Sequence, residues 1–395
     1  MASPPRALIV GAGIGGLAAA IALRRSGWQV RVFERAAASL ELGFALVLAP
    51  NAMAALSELG LSEALAGEGI LAIRVEVRRT DGRVLRRFRP FVEPEAQRWL
   101  PVVALRSALH GALLAAIGPD VVTFGSEAVD FEHTRVGVML HLADGRTETG
   151  DLLVGADGVG SVIRQQLHRR EPPPRPSRFC ALRGVAYDVQ RHLADLSAVG
   201  YLGPGVEAAT ARASETAVYW YVSMLTADVS IDQPEARNVL EHRTASFDPS
   251  FRAIANATRP EDLRFDRLLE RRPLKYWGAG RVTLLGDAAH PMLPHTGQGA
   301  AQALEDAVAL DLALRGAGDT IAALRRYEHV RSSRTQRIVK SGPRIARVST
   351  THSCVVGGLR NVAVRIMPDA VFTIAARLAA RDPHLQLRER IGTAA

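Results

Sequence analysis

Three acidic residues in this chain each follow a short, mostly apolar run: Glu34 after QVRVF, Asp157 after DLLVGA and Asp287 after RVTLLG. A carboxylate at the end of a buried strand either closes a turn or accepts hydrogen bonds from a hydroxyl-bearing ligand, and its neighbours decide which. Glu34 has a phosphate-binding pattern upstream of it. In GAGIGG, residues 11–16, Gly11 permits a tight turn, Gly13 lets a pyrophosphate approach the backbone and Gly16 lets a helix pack closely on a strand, with Ile14 and Gly15 between them. An acid about 20 residues past such glycines reaches an adenosine ribose, so Glu34, followed by Arg35, points to a bound dinucleotide. The spacing leaves NAD and FAD equally open. Asp287 has a second Gly-rich turn after it, and a long helix starting near Gly297, ten residues on, and including Gly299 and Ala300, has a dipole that favours another anionic group. One phosphate site, a separate acid and a second helix start fit a long ligand stretched between two ends of a fold.

The elements that must hold these residues are legible in the apolar periodicity. RALIV reads as a strand, LAAAIALRRSG as a helix and QVRVFER as a second strand. A helix begins near Pro50, with Asn51 in place to cap it. Alternating residues around Asp81-Gly82 and around Asp144-Gly145 predict two β-hairpins. VALRSALHGALLAAIG predicts an amphipathic helix with Arg106 at its start. The Pro-rich segment REPPPRPSR, residues 170–178, disfavours helix and central strand and predicts a linker. Beyond it, residues 179–268 read as a mixed sheet with helices, joined by the hairpin at 73–89; Tyr219 and Tyr221 alternate with Trp220 on one of its strands.

Composition narrows the function class. A chain of 395 residues, 48% hydrophobic, buries a full core and predicts two domains. The net charge of +9 is scattered in short groups such as Arg78-Arg79 and Arg271-Arg272, which argues for an Arg-rich enzyme using anionic cofactors and against nucleic acid. Cys180 and Cys354 give neither metal spacing nor a disulfide framework, and predict free thiols in a reducing compartment. Without a signal-peptide pattern, or an apolar run of about 18 residues, the expectation is a cytoplasmic protein with no membrane span.

Three segments in order, GAGIGG…FER, LVGADGVGSVIR and LLGDAAHPMLPHTGQGAAQALEDA, resemble the motifs of the single-component flavoprotein aromatic hydroxylases, the family of para-hydroxybenzoate and salicylate hydroxylases. The similarity extends through nearly all of residues 6–345. It implies an α/β fold: a Rossmann-like FAD-binding domain from residues 1–72, 98–176 and 270–345, and a mixed-sheet α+β substrate domain from 73–97 and 177–269. Residues 346–395 are then a C-terminal helical segment, basic and amphipathic, for which packing is favoured over membrane contact. The resemblance also implies FAD as cofactor, with Glu34 on the adenosine ribose, Arg106 near the pyrophosphate and Asp287 on the ribityl chain. Asp157, flanked by Ser161 and Arg164, would organise the flavin and a transient nicotinamide site.

The activity implied is hydroxylation or epoxidation of an aromatic, quinolone or polyketide-like molecule, with NADPH or NADH as transient co-substrate and O2 as oxidant, through a flavin C4a-hydroperoxide. There is no second dinucleotide fingerprint and no redox CxxC, and a monomer or homodimer is expected without a metal. Pro294 and His295 lie in a loop that abuts flavin and substrate in this family, and His295 is the candidate to orient or deprotonate a substrate hydroxyl. Arg183 matches an arginine of the family's WRG context, with salt bridging as the competing account, and Tyr221 joins it as a pocket candidate. Val47 stands where some relatives place a histidine, Leu182 replaces a frequent Trp and Ala301 a frequent Asn; the first two predict a roomier, more apolar pocket. The alternatives are a flavin-dependent halogenase, whose W-x-W-x-I-P segment and lysine are not apparent, and a non-enzymatic flavin-binding redox protein.

Overall fold

A computed structural model describes residues 3–39, 44–88, 100–229 and 236–368. The chain opens with β1 (Arg6–Val10), α1 (Ile14–Arg25) and β2 (Gln29–Phe33), followed by β3 (Ala45–Leu48), α2 (Pro50–Glu58), α3 (Ser62–Glu68) and β4 (Ile70–Leu71). The first hairpin is β5 (Val75–Arg79) and β6 (Val84–Phe88); then come β7 (Val102–Leu105), α4 (Arg106–Ile117) and β8 (Val122–Thr123). Next are β9 (Ala128–His133), β10 (Val138–Leu142), β11 (Thr147–Gly150), β12 (Leu152–Gly155) and α5 (Val162–Leu167). The middle of the chain forms β13 (Arg175–Tyr187), β14 (Ala198–Gly203), β15 (Val206–Arg212), β16 (Ala217–Leu225), α6 (Ala236–Thr244), α7 (Pro249–Asn256) and β17 (Leu263–Glu270). It ends with β18 (Val282–Leu284), α8 (Gly299–Leu314), α9 (Thr320–Ser349) and α10 (Cys354–Ile366).

Two sheets matter for the site. The first is parallel throughout, in the order β18-β12-β1-β2-β8. Its strands are continuous apolar runs because helices cover it, as parallel sheets require. Leu8, Ile9, Leu153, Val154, Val282 and Leu284 share one core with α1 and α8. The second sheet is mixed and seven-stranded, in the order β17-β13-β16-β15-β14-β5-β6, and the predicted hairpin at its edge forms as β5–β6. Trp220, Val222, Leu182 and Tyr201 on one of its faces pack with Leu240, Phe247 and Phe251 of the α6–α7 region. The fold is α/β with a parallel nucleotide-type sheet and a mixed second sheet, as the sequence motifs implied.

Three local expectations change. Asn51 does not cap α2: the N-cap is Ala49, Pro50 takes the first helical turn, and the buried Asn51 amide donates to Glu305 and Gln298 instead. The Pro-rich segment is a linker only in its first half. From Arg175 it is already β13, a central strand; Pro176 is accommodated at the strand's start, beside a register shift between Pro176 and Cys180. The second Gly-rich turn reaches its helix at Gly299, with Gly297 left-handed before it. In the C-terminal segment, α10 lies against α9 and β6 but buries none of its residues. Residues 89–97 and 369–395, which belong to predicted segments, lie outside the described residues.

Candidate active site

The first end of the cleft forms where β1 runs into α1. Gly11 has φ +101°, the left-handed region that favours glycine, and a Cβ there would meet the Ala156 carbonyl oxygen at 2.5 Å. A Cβ on Gly16 would lie 1.9 Å from the Gly11 carbonyl oxygen, so α1 and the turn touch through bare backbone. Gly15 faces the other way and packs on Leu285 and Ala303. Gly13 differs from all three: a Cβ there would meet nothing within 4 Å, which leaves its backbone open to the cleft. Gly13 is also the N-cap of α1 and provides no side-chain partner, so the first N–H groups of the helix, from Ile14 on, stay available to an anion.

Glu34 lines the same cleft with Ala12, Gly13, Ala36, Ala38, Ser39, Arg106, Ser107 and His110. Its carboxylate accepts from the Ala12 and Ala36 amides at 2.8 and 2.9 Å, which fixes both oxygens while leaving further lone pairs. Arg35 is exposed, and the cleft wall continues through Ala36 instead. His110, which sequence reasoning passed over, bonds the Ala12 carbonyl at 2.7 Å and the Ser39 hydroxyl at 3.1 Å, tying the Gly-rich turn to α4. The signal was available: Arg106 and His110 are four residues apart on one helix and therefore share a face.

Arg106 opens α4 and Asp287 follows β18, and they meet electrostatically across the cleft. Burial lowers the Arg106 guanidinium from its ordinary value, opposed by the Asp287 carboxylate and reinforced by Arg183. Burial raises the Asp287 carboxyl, opposed by His290 and Arg106, with Asp306 adding to the rise. Asp287 is reachable by solvent although densely surrounded, and its carboxylate has no hydrogen bond to a described residue. It closes no turn with its side chain. Beyond it, α8 starts at Gly299 without a side-chain cap, and Gly297, Gly299 and Ala300 are partly or fully exposed at that start. Added Cβ atoms on Gly297 and Gly299 would again meet nothing.

The second motif holds its own helix start. Asp157 accepts from Val162 N at 2.8 Å, holding the start of α5, while its other oxygen is buried without a partner. Burial is the main cause that raises its carboxyl. Arg164 is fully buried and donates to the carbonyls of Ala288 and Ala289 at 3.0 and 3.1 Å, to Glu171 and to the Arg272 carbonyl. It clamps the loop that carries Asp287. Ser161 caps α5 through the Arg164 amide.

A family model described as an FAD binding domain matches residues 6–341. Aurachin C monooxygenase/isomerase of Stigmatella aurantiaca is 34% identical over 362 residues, covering 91% of this chain and 94% of that protein. 3-Hydroxybenzoate 6-hydroxylase 1 of Aquipseudomonas alcaligenes is 35% identical over 353 residues, covering 84% and 86%. Among solved structures, Klebsiella pneumoniae HpxO complexed with FAD and uric acid matches with a TM-score of 0.87 at 26% identity, covering 94% of this chain and 97% of that one. The chain belongs to the FAD-binding-domain family. It is an FAD-dependent oxidoreductase of the monooxygenase class. The residues at the cleft fit the cofactor: an open backbone at Gly13, two uncapped helix starts and an unpaired carboxylate at Asp287 suit a long anionic, hydroxyl-rich group.

In this flavoprotein, the second sheet turns one face toward the loop at 291–298. Tyr219, Tyr221 and Ser223 alternate on that face of β16, opposite Val185, Arg183 and Ala181 on β13 and opposite Ala211, Ala209 and Glu207 on β15. Trp220 faces the core, with its indole N–H on Thr258. Leu182 faces the core too, so that departure does not enlarge the face of Tyr221, while Val47 is 50% exposed on β3. Arg183 pairs with Asp266 at 3.3 Å and stacks over Phe44 at 5.3 Å, which supports the salt-bridge account and still leaves it on the face of Tyr221. Pro294 and His295 form a short 3-10 turn.

His295 reaches across to this face. The Ser223 hydroxyl donates to the Cys180 carbonyl at 3.2 Å, so its oxygen accepts from His295 Nε2–H at 2.9 Å, and Nδ1 becomes the acceptor nitrogen. Nδ1 is buried without a partner among the described residues. Burial lowers the His295 ring below the usual histidine value, with Glu207 opposing and Arg183 reinforcing.

Behind the loop lies a buried ionic network that sequence reasoning missed. Arg331 of α9 donates to Asp306 at 2.7 Å and to Glu305, both on α8. Asp306 in turn accepts from the Gly286 amide at 3.0 Å and bonds His290 at 2.5 Å. The available signal was a pair of acids, Glu305-Asp306, inside an otherwise apolar helix, since buried charges are paired.

Proposed function

We propose that this enzyme uses NADPH or NADH and O2 to monooxygenate a small aromatic or polyketide-like ring, with FAD stretched between the two helix starts. In this reading Gly11, Gly13, Ile14, Gly15 and Gly16 meet the diphosphate, Glu34 the adenosine ribose with Arg35 beside it, and Arg106 the pyrophosphate. Asp287 holds the ribityl chain. Gly297, Gly299 and Ala300 present the start of α8 to the ring, where its dipole stabilises negative charge. Asp157, which holds the start of α5, helps organise the flavin and the transient nicotinamide site. Bound FAD would supply the hydride acceptance and oxygen activation that the reaction needs.

What the chain's own residues do is position, shield and move a proton. His295 Nδ1, an unprotonated acceptor, takes the proton of a ring hydroxyl and makes the ring a better nucleophile. Arg183 and Tyr221 orient the ring on the second sheet, and Pro294 fixes the approach of the loop. The observation that carries the reading is the solvent-accessible Asp287 carboxylate, without a hydrogen bond among the described residues and within electrostatic reach of Arg106, which lines the cleft of Gly13 and Glu34. No described helix is long and apolar enough to cross a membrane; the reading puts the enzyme in the cytoplasm as a monomer or homodimer.

The test is NADH and NADPH oxidation by the purified yellow protein against phenols, quinolones and polyketides, with product mass. A mass gain of one oxygen supports it. A protein that takes up no FAD at micromolar concentration sinks it.

A further inference from the structure

We propose that Glu207 selects the substrate, and that the ligand is a neutral ring presenting N–H or O–H donors rather than a carboxylate; this rests on the monooxygenase reading above. Glu207 lies on β15, opposite Ser223 of β16 and on the face of Tyr221 and Arg183. Its Oε1 accepts the Tyr221 hydroxyl at 2.9 Å, while Oε2 is buried without a partner among the described residues. Burial, then the Glu207 carboxylate, pushes the Tyr221 phenol well above its ordinary value, so Tyr221 stays a neutral donor.

Across the strand, Ser223 holds His295, whose Nδ1 is also unpaired among the described residues. Glu207 Oε2 and His295 Nδ1 therefore share one face with Asp266 Oδ2, which also lacks a hydrogen bond among the described residues, and all three accept. A buried acceptor left unpaired costs free energy that a donor on the ligand recovers, whereas an anion meets repulsion from Glu207. Of the cations nearby, Arg183 pairs with Asp266 through Nε at 3.3 Å, and Arg360 of α10, within electrostatic reach of Glu207, donates to the carbonyls of Val348 and Ser349. The floor between is made of small residues, with Ala209 opposite Tyr221 and Gly200 opposite Ala209, which leaves width for a fused ring.

The probes are 4-hydroxyquinoline, whose quinolone form carries an N–H, its N-methyl quinolone, which has none, and 3-hydroxybenzoate. Binding to the FAD-loaded enzyme is read from the visible flavin spectrum. The native enzyme is expected to bind 4-hydroxyquinoline at least about tenfold more tightly than the N-methyl compound, the scale of a hydrogen bond to a charged group. In Glu207→Gln that ratio should fall to about threefold or less while 3-hydroxybenzoate binds about tenfold more tightly, with NAD(P)H still reducing the flavin. An unchanged ratio in the variant overturns the role of Glu207 and leaves the monooxygenase reading standing. Equal binding of the two quinolones by the native enzyme overturns it without reference to any variant's folding. A native enzyme that reduces its flavin yet binds none of the three overturns the ligand class in both readings.

Discussion

At the scale of residues, Asp287 and His295 carry opposite requirements. Asp287 needs partners that the protein does not provide, and Asp287→Ala should weaken FAD retention by at least about tenfold, as expected for lost hydrogen bonds to an ionised group. Asp287→Asn, which keeps an acceptor, should lose less; FAD titration of the apoprotein measures both. His295 must stay unprotonated to accept. Because burial lowers its ring below the usual value, it provides stability above about pH 6.5 that is lost as pH falls through the lowered value. Product coupling should accordingly persist below pH 6.5 and then decline. In His295→Ala, flavin reduction should continue while hydrogen peroxide replaces product, with turnover to product down about 10²- to 10⁴-fold; unchanged coupling would reduce His295 to a loop residue. Glu34, Arg106 and Asp287 were legible in the sequence because each ends or begins a periodic element. Asn51 was not, because its partners Gln298 and Glu305 are about 250 positions away and a cap is the only local use for an Asn beside a helix start.

At the scale of elements, the turn into α1 separates packing from binding. Gly16→Ala puts a methyl group against the Gly11 carbonyl and should lower apoprotein stability by about 1–3 kcal/mol, read by urea unfolding. Gly13→Ala meets empty space, so the apoprotein melt should stay the same while FAD affinity falls. Equal effects of the two would mean that Gly13 has no ligand to admit. The α8–α9 pair makes a further distinction. Arg331→Met strands the buried Glu305 and Asp306 charges, which predicts a loss of about 3–5 kcal/mol by denaturant titration. The helices themselves were readable from their apolar spacing. Their ionic tie was not, because nothing local to GAAQALEDA indicates that an arginine on the next helix will reach it.

At the scale of the molecule, the loop at 286–299 is held from three sides: Arg164 grips its backbone, Asp306 its start, and Ser223 of the second sheet its His295. Loosening either sheet therefore disturbs the floor of the cleft. Holoenzyme unfolding followed by flavin release and by tryptophan fluorescence should give one coincident transition, since Trp277 is buried in the first core and Trp220 in the second. Two separated transitions would mean that the sheets melt independently. The two-sheet plan itself followed from three motifs in order. The point where one sheet gives way to the other did not, because Pro176 inside a strand violates the composition rule and is tolerated only by the neighbouring shift in register.

The order β18-β12-β1-β2-β8 also has a consequence for synthesis on the ribosome. The strand next to β12 on one side is made first and that on the other, β18, comes from residues 282–284, after the whole second sheet. At about 5–20 residues per second, the first half of the cleft waits many seconds for Asp287 and α8 to emerge. With Asp287 and the start of α8 holding the flavin as proposed, cofactor capture would be a late event in the life of each nascent chain. Ribosome-stalled chains ending before Val282 should be colourless even with FAD in excess, while chains stalled well past Leu314 should be yellow.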